Sequence, residues 1–210
     1  MGLYVNVRVK ALIFDIDGTL GDTMPVHLRA WEATGQVHGF IYPSELFYQY
    51  AGLPTKNIVQ MLNERFGHQL DPEQVMATKN EAYLRMIHEI KPIKPVIEIV
   101  KKFYGKLPMG LGTGEVRSIA QQNIKALGLE GYFTAMVSGD EVVNPKPDPE
   151  TFYRCADRLG MASEYCQVFE DGELGLEAAR RAGMIATDIR PFLEAAAIEP
   201  VDEQPKRKIS

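Results

Sequence analysis

The sequence contains few cysteines and no long hydrophobic run. Cys155 and Cys166 are the only two cysteines in 210 residues, which is too few for a disulfide scaffold, and they lack the spacing of metal ligands. We therefore expect two reduced thiols. No uninterrupted apolar stretch approaches the ~20 residues that cross a bilayer, and residues 1–10 lack the layout of a signal peptide. These absences predict a cytoplasmic location.

Basic charge is also scarce, since the formal net charge is −5, from 23 Lys and Arg against 28 Asp and Glu. Proteins that bind nucleic acid or an anionic membrane need a basic face, so we expect neither of these partners. No feature of the sequence indicates an obligate protein partner. The length and an ordinary globular composition predict one good core with a modest insertion.

Five short apolar stretches alternate with segments of helical periodicity. The first runs from Val9 to Phe14 and stops at Asp15 and Asp17, and the other four predicted strands cover residues 107–111, 134–138, 166–169 and 184–188. Alternation of strand and helix favours a parallel sheet with helices on both faces. The predicted core is therefore α/β, a Rossmann-like doubly wound parallel sheet.

The long interval between the first and second predicted strands shows helical periodicity throughout. Four helices are predicted over residues 23–34, 44–51, 55–66 and 72–89, with Ser44, Thr55 and Asp71 as N-caps. We therefore assign residues 22–91 to an inserted all-helical cap and residues 1–21 and 92–210 to a Rossmann-like catalytic core. Two prolines within residues 91–95 mark the return hinge, and the polar residues 202–210 are expected to fray.

Charged and hydroxyl side chains follow the first four predicted core strands. In an open parallel sheet, ligands bind beyond the carboxyl ends of the strands, so these groups should converge. They are Asp15, Asp17, Thr113, Lys146, Glu170 and Asp171. Four carboxylates packed together repel one another and take up protons unless a cation lies among them. Oxygen-only ligands with room for phosphate oxygens favour Mg²⁺, and Glu170 and Asp171 complete this predicted metal site.

Asp15 and Asp17 are two residues apart, which lets both carboxylates face one pocket and take different tasks in phosphoryl transfer. One carboxylate, held against the metal, acts as a nucleophile, and the other protonates the leaving oxygen and later activates water. Thr113 and Lys146 offer a hydroxyl and an ammonium to the phosphate, and Gly114 allows a backbone N–H group to approach the anion closely.

These motifs, in this order, resemble those of the haloacid dehalogenase superfamily of phosphohydrolases. The match runs from Lys10 to about Asp188, and the phrase Val168-Phe169-Glu170-Asp171 is particularly typical. Within the superfamily, the sequence is similar to the β-phosphoglucomutase-like branch, in which a small helical cap closes over the site. The resemblance implies that Asp15 is the nucleophile and Asp17 the acid and base. The metal shell that it implies consists of Asp15, Asp17, Glu170 and Asp171.

Two features of the cap refine this resemblance. Residues 22–31 are similar to the start of the mutase cap, which implies that His27 lies near the active site. The segment Gly52-Leu53-Pro54-Thr55 and the phrase at residues 110–114 are similar to bacterial fructose-1-phosphate/6-phosphogluconate phosphatases. Where mutases usually place an arginine for a second phosphate, this sequence has Thr55, and the adjacent Lys56 is the candidate substitute.

The sequence therefore predicts a Mg²⁺-dependent phosphatase that hydrolyses a small sugar phosphate, of the fructose 1-phosphate or 6-phosphogluconate type, through an aspartyl-phosphate. One alternative is a β-phosphoglucomutase-type isomerase, which returns the phosphoryl group to another hydroxyl of the sugar. A second is a dehalogenase, which lacks the second aspartate. A third is a non-catalytic binding protein on the same fold, in which at least one of the motifs would be eroded.

The aromatic residues of the cap have two possible interpretations. Trp31, Phe47, Tyr48 and Tyr50 form either a sugar-stacking surface or part of the cap core, and their helical spacing favours the core.

Overall fold

The computed structural model describes residues 2–50 and 53–197, with the side chains of 194–197 left out. Gly52 and the segment 202–210, for which the sequence raised expectations, lie outside the described residues. The core strands are β1 (Ala11–Phe14), β4 (Met109–Gly112), β5 (Ala135–Val137), β6 (Cys166–Glu170) and β7 (Ile185–Asp188). They form one parallel sheet in the order β5-β4-β1-β6-β7. All five predicted strands are therefore confirmed, within two residues at either end.

Helices cover both faces of this sheet. They are α5 (Lys94–Phe103), α6 (Arg117–Ala126), α7 (Glu150–Arg158), α8 (Glu173–Arg181) and α9 (Arg190–Ala197). Leu12 and Phe14 pack in the core layer that contains α5 and α6, whereas Ala11 and Ile13 pack in the layer that contains α7 and α8. The alternation arises because successive strand residues point to opposite faces. Because the central strand is apolar on both faces, it lies buried in the middle of the sheet, as the α/β prediction requires.

The interval after the first strand is helical, as predicted. It contains α1 (Met24–His38), α2 (Ser44–Gln49), α3 (Thr55–Phe66) and α4 (Pro72–Met86), followed by a 3-10 turn at Ile87–Glu89. Trp31, Phe47, Leu62 and Val75 belong to the buried apolar cluster that holds these helices together. Among the helices in the described ranges, none has both the length and the apolar character of a membrane span.

Two of the three predicted N-caps are wrong. Helices α2 and α3 begin at Ser44 and Thr55 themselves, and prolines occupy the cap positions before them, at Pro43 and Pro54, with no side-chain cap. Asp71 is confirmed, because its Oδ1 accepts hydrogen bonds from two backbone N–H groups of the first turn, at 2.9 and 3.3 Å. Where proline precedes a serine or threonine, its fixed φ sets the entry to the helix without a hydroxyl.

Two very short strands join the helical segment to the sheet. β2 (Gly21–Asp22) pairs antiparallel with β3 (Lys91–Pro92). Neither strand is predictable from the sequence, because two residues carry no periodicity. They lie at the boundaries predicted for the cap, and the division into cap 22–91 and core stays a prediction. Cys155 and Cys166 are both buried and free, as expected.

Candidate active site

The carboxyl ends of β1, β4 and β6 meet at one cleft beneath the cap helices. Asp15 follows β1, Thr113 follows β4, and Glu170 ends β6. The cleft contains about 690 Å³ of space, including the part open to solvent. The predicted site residues that line it are Asp15, Asp17, His27, Thr113, Gly114, Lys146, Glu170 and Asp171.

A buried lysine joins two of the carboxylates. The Lys146 ammonium lies 2.7 Å from Asp15 Oδ1 and 2.7 Å from Glu170 Oε1. Burial alone would lower the pKa of Lys146, but the two carboxylates outweigh it and raise that pKa. Burial raises the pKa of Asp15 well above its usual range, against the lowering effect of Lys146, and repulsion from Glu170 and Asp171 adds to the rise. One ammonium is therefore not enough positive charge for this group of acids.

Three carboxylates form a cluster that suits a hard cation. Asp15, Glu170 and Asp171 each offer one oxygen, and these oxygens all lie within 4.8 Å of one another. Burial, followed by repulsion from Glu170, raises the pKa of Asp171 to about 7. Because all three donors are oxygens, the cluster fits Mg²⁺ better than a soft metal. Asp15 and Asp171 would hold the ion, since both oxygens of Glu170 are engaged, Oε1 by Lys146 and Oε2 by the backbone N–H of Gly172 at 2.6 Å.

The structure does not bring Asp17 into this cluster. Its Oδ1 lies 3.1 Å from His27 Nε2 and accepts a hydrogen bond from Asn123 Nδ2 at 3.1 Å, while Oδ2 accepts from the Thr113 hydroxyl at 3.5 Å. Burial raises the pKa of Asp17, but the lowering causes, led by the hydrogen bond and charge of His27 and including the charge of Lys79, together outweigh burial. These three partners hold the Asp17 side chain apart from the cluster, so it does not join the other predicted ligands of the metal shell.

Two glycines make room for the acidic cluster. Gly18 has φ +83°, and a Cβ there would lie 2.2 Å from Asp171 Oδ2. A Cβ on Gly175 would lie 1.7 Å from Glu170 Oε1. A side chain at either position would displace a carboxylate, so only glycine allows the backbone to lie this close to the cluster.

Comparison with known proteins agrees with this arrangement. The family profile of haloacid dehalogenase-like hydrolases matches residues 12–188, which is most of the chain. The chain belongs to the haloacid dehalogenase-like hydrolase family. This confirms the family predicted from the sequence.

Individual relatives of this haloacid dehalogenase-like hydrolase agree with the assignment. The Escherichia coli fructose-1-phosphate phosphatase YqaB is 40% identical over 183 residues, covering 87% of this chain and 97% of the relative. The phosphorylated carbohydrates phosphatase of Thermotoga maritima is 31% identical, covering 90% and 93%. The crystal structure of β-phosphoglucomutase from Clostridium difficile superposes with a TM-score of 0.77 at 22% identity, covering 86% and 84%, and shows the same fold.

The two predicted substrate-binding residues in the cap of this haloacid dehalogenase-like hydrolase lie in different environments. His27 is buried, lines the cleft and stacks on the ring of Tyr83 at 4.1 Å between centroids. Lys56 lies outside the cleft. Its side chain is 68% exposed, and its ammonium lies 3.3 Å from a carboxylate oxygen of Glu73. Lys56 is therefore not positioned to bind a substrate in this structure.

The four aromatic residues for which the sequence left two interpretations open divide between the cap core, the wall of the cleft and the surface. Trp31 and Phe47 are buried members of the cap core and also line the cleft. Tyr50 lines the cleft as well, whereas Tyr48 is exposed at the surface. The cap core of this haloacid dehalogenase-like hydrolase is thus also the apolar wall of its site.

Several polar contacts of the site were missed from the sequence. The Thr19 hydroxyl donates to Asp171 Oδ1 at 2.7 Å, and the Tyr83 hydroxyl donates to Asn123 Oδ1 at 2.8 Å. Lys79 donates to Glu115 Oε2 at 2.9 Å across the cleft between cap and core. The sequence carries one signal for the contact of Lys79. Val75, Lys79 and Tyr83 are spaced four residues apart, which places the lysine on the buried face of α4. A lysine on such a face needs an acidic partner.

Proposed function

We propose that this chain is a Mg²⁺-dependent phosphatase that hydrolyses a small sugar phosphate through an aspartyl-phosphate on Asp15. The observation that carries the proposal is the different environment of two aspartates only two residues apart. Asp15 belongs to the carboxylate cluster and is bound by Lys146, while Asp17 is held apart by His27 and Asn123. The name of the E. coli relative supports a sugar phosphate as the substrate.

In the first half of the reaction, an oxygen of Asp15 attacks the phosphorus of the ester. The bond between phosphorus and the sugar oxygen breaks, and the leaving oxygen takes a proton from Asp17. Lys146 donates to Asp15 Oδ1 and so fixes the orientation of the nucleophilic carboxylate. The ring stacking between His27 and Tyr83 holds the histidine that positions Asp17.

In the second half, water attacks the phosphorus of the aspartyl-phosphate while Asp17 takes a proton from that water. Inorganic phosphate leaves and the Asp15 carboxylate is restored. The lowered pKa of Asp17 keeps its carboxylate ionised, so that it is able to accept this proton. In the first half, a phosphate dianion bound beside Asp17 would raise its pKa by like-charge repulsion, which lets it carry the proton.

When bound by Asp15 and Asp171, Mg²⁺ would neutralise negative charge on the phosphoryl oxygens. Lys146 adds a positive charge at the same place, and Thr113 offers a hydroxyl from the loop after β4. The apolar wall of the cap, which includes Trp31 and Phe47, restricts the access of water to the reacting atoms.

The alternatives receive less support. A mutase must hold the second phosphate of a bisphosphate intermediate, and Lys56, the predicted candidate, is paired with Glu73 outside the cleft. A dehalogenase has no use for Asp17 or for the carboxylate cluster. A binding protein has no use for a buried lysine that orients one aspartate beside two further acids.

The proposal is tested by measuring phosphate release from fructose 1-phosphate, 6-phosphogluconate and β-glucose 1-phosphate, each with Mg²⁺ and with EDTA. We expect Mg²⁺-dependent release whose rate differs among the substrates. Conversion of β-glucose 1-phosphate to glucose 6-phosphate without phosphate release would show a mutase instead. Release that persists in EDTA would contradict the role of the metal.

A further inference from the structure

A buried ion pair between cap and core forms part of the wall of the cleft. Lys79 lies on α4 of the cap, and Glu115 lies in the loop after β4, where its backbone N–H donates to the Thr113 hydroxyl at 3.1 Å. Their charged atoms are 2.9 Å apart, the two side chains are only 3% and 11% exposed, and both residues line the cleft. The pair therefore faces whatever part of a substrate extends from the phosphate toward the cap.

Every cationic side chain that lines the described part of the cleft already has an acidic partner. His27 faces Asp17, Lys79 faces Glu115, and Lys146 lies between two carboxylates. The rest of the described wall on the cap side carries no charge and consists of the Thr55 side chain and the apolar or aromatic residues Met24, Trp31, Phe47, Tyr50, Leu53 and Ile58. Within the described residues, the cleft thus offers no uncompensated positive charge to a second anionic group of a substrate.

We propose that Glu115 makes the site selective for phosphate monoesters whose far end is an uncharged polyol, against those that end in a carboxylate or a second phosphate. This inference rests on the proposed phosphatase function. Hydroxyl groups can donate to Glu115 and accept from Lys79, and the C–H faces of a sugar can pack on Trp31. A carboxylate there would be repelled by Glu115 at close range, and the charge of the adjacent Lys79 ammonium is already compensated by Glu115. The pair thus acts as a repulsive element of specificity.

Two substrates of matched length isolate this effect. Glucitol 6-phosphate and 6-phosphogluconate share the chain of hydroxyl groups and the phosphate, and they differ in an alcohol or a carboxylate at the far end. We expect kcat/KM of the unchanged protein to favour glucitol 6-phosphate by about tenfold or more. Equal values of kcat/KM for the two substrates would overturn the inference.

The variant Glu115→Gln keeps the shape of the side chain, removes its charge and leaves the Lys79 ammonium uncompensated. We expect the ratio of kcat/KM between the two substrates to move toward 6-phosphogluconate by about tenfold or more. Glu164→Gln makes the same chemical change at an exposed position outside the cleft and should keep the original ratio. An unchanged ratio in folded Glu115→Gln would refute the role of Glu115.

The two proposals fail in different ways. If neither substrate, nor fructose 1-phosphate, releases phosphate in the presence of Mg²⁺, the phosphatase function is wrong and the selectivity falls with it. If both substrates are hydrolysed without discrimination, the phosphatase function stands and only the inference about Glu115 is overturned. If circular dichroism shows that Glu115→Gln does not fold, the ratio of kcat/KM between the two substrates is measured for the unchanged protein and for Glu115→Ala instead.

Discussion

We expect the ionised Asp171 carboxylate to destabilise the metal-free protein, so that replacing Asp171 should raise the free energy of unfolding. Its pKa rises from the usual 3.8 to about 7 because the carboxyl is buried beside Glu170. Between these two pH values the folded protein binds more protons than the unfolded chain, so the free energy of unfolding falls as pH rises across this interval. Above pH 7 the ionised carboxylate costs the full amount, and below pH 3.8 it costs nothing.

The size of this effect follows from the pKa. At 1.36 kcal/mol per pKa unit, the rise corresponds to about 4 kcal/mol at pH 8. Asp171→Asn removes the charge and keeps an oxygen to accept from Thr19. The variant should therefore be more stable than the unchanged protein at pH 8, by up to ~4 kcal/mol, which is about 8–16 °C in Tm for a chain of this size.

The assay is thermal unfolding at pH 5.5, 7 and 8.5, with EDTA and with Mg²⁺. Mg²⁺ should raise the Tm of the unchanged protein most at pH 8.5, where the carboxylates are ionised, and least at pH 5.5. Asp171→Asn should show little response to Mg²⁺ and should lose phosphatase activity. A metal-free Asp171→Asn that is less stable than the unchanged protein at pH 8.5 would refute the reasoning, as would an equal response to Mg²⁺ at every pH.

Three further substitutions test other parts of the site. Asn123→Ala should lower kcat for sugar phosphates by about 10- to 100-fold, because Asp17 loses a positioning hydrogen bond, with a smaller effect on p-nitrophenyl phosphate, whose leaving group needs less protonation. Lys146→Met should lower the free energy of unfolding in urea by about 3–5 kcal/mol at pH 7.5, because two buried carboxylates lose their partner. Gly175→Ala should lower kcat by at least about tenfold, because its Cβ would displace Glu170.

Each of these substitutions has a matched control or a contradicting result. An equal loss of kcat on both kinds of ester would show that Asn123 does not act through Asp17 as the acid. Lys125→Met changes an exposed lysine and should leave unfolding unaltered within ~0.5 kcal/mol. Gly2→Ala, where a Cβ meets nothing within 4 Å, should keep full activity, and the same result for Gly175→Ala would contradict the tight packing around Glu170.

The parallel core was predictable because its strands are short apolar runs that end in charged residues. β1 stops at Asp15 and β6 ends at Glu170, so the pattern marked both the strand and its functional end. In the sequence, prolines mark only the return boundary of the predicted cap, at residues 91–95, and strands β2 and β3 are too short, at two residues each, to show a pattern. Ser44 and Thr55 were misassigned as N-caps because a preceding proline takes that position.

The three-dimensional placement of side chains could not be predicted from spacing alone. Asp17 lies only two residues from Asp15, and its contacts with His27, Asn123 and Thr113, which the sequence does not reveal, hold it apart from the carboxylate cluster. Lys56 follows Thr55 directly, yet adjacent helical residues face different directions, so only Thr55 lines the cleft. The partner of Lys79 lies 36 residues away in another segment, and no periodicity links the two.

The most direct test of the account is to find the phosphoryl group on the enzyme during turnover. Protein quenched with acid in the steady state with Mg²⁺ and fructose 1-phosphate would be digested and mapped by mass spectrometry. We expect a phosphoryl group on the peptide that contains Asp15. In folded Asp15→Asn, we expect neither this adduct nor turnover. Phosphate release by folded Asp15→Asn at the rate of the unchanged protein would contradict the assignment of Asp15 as the nucleophile.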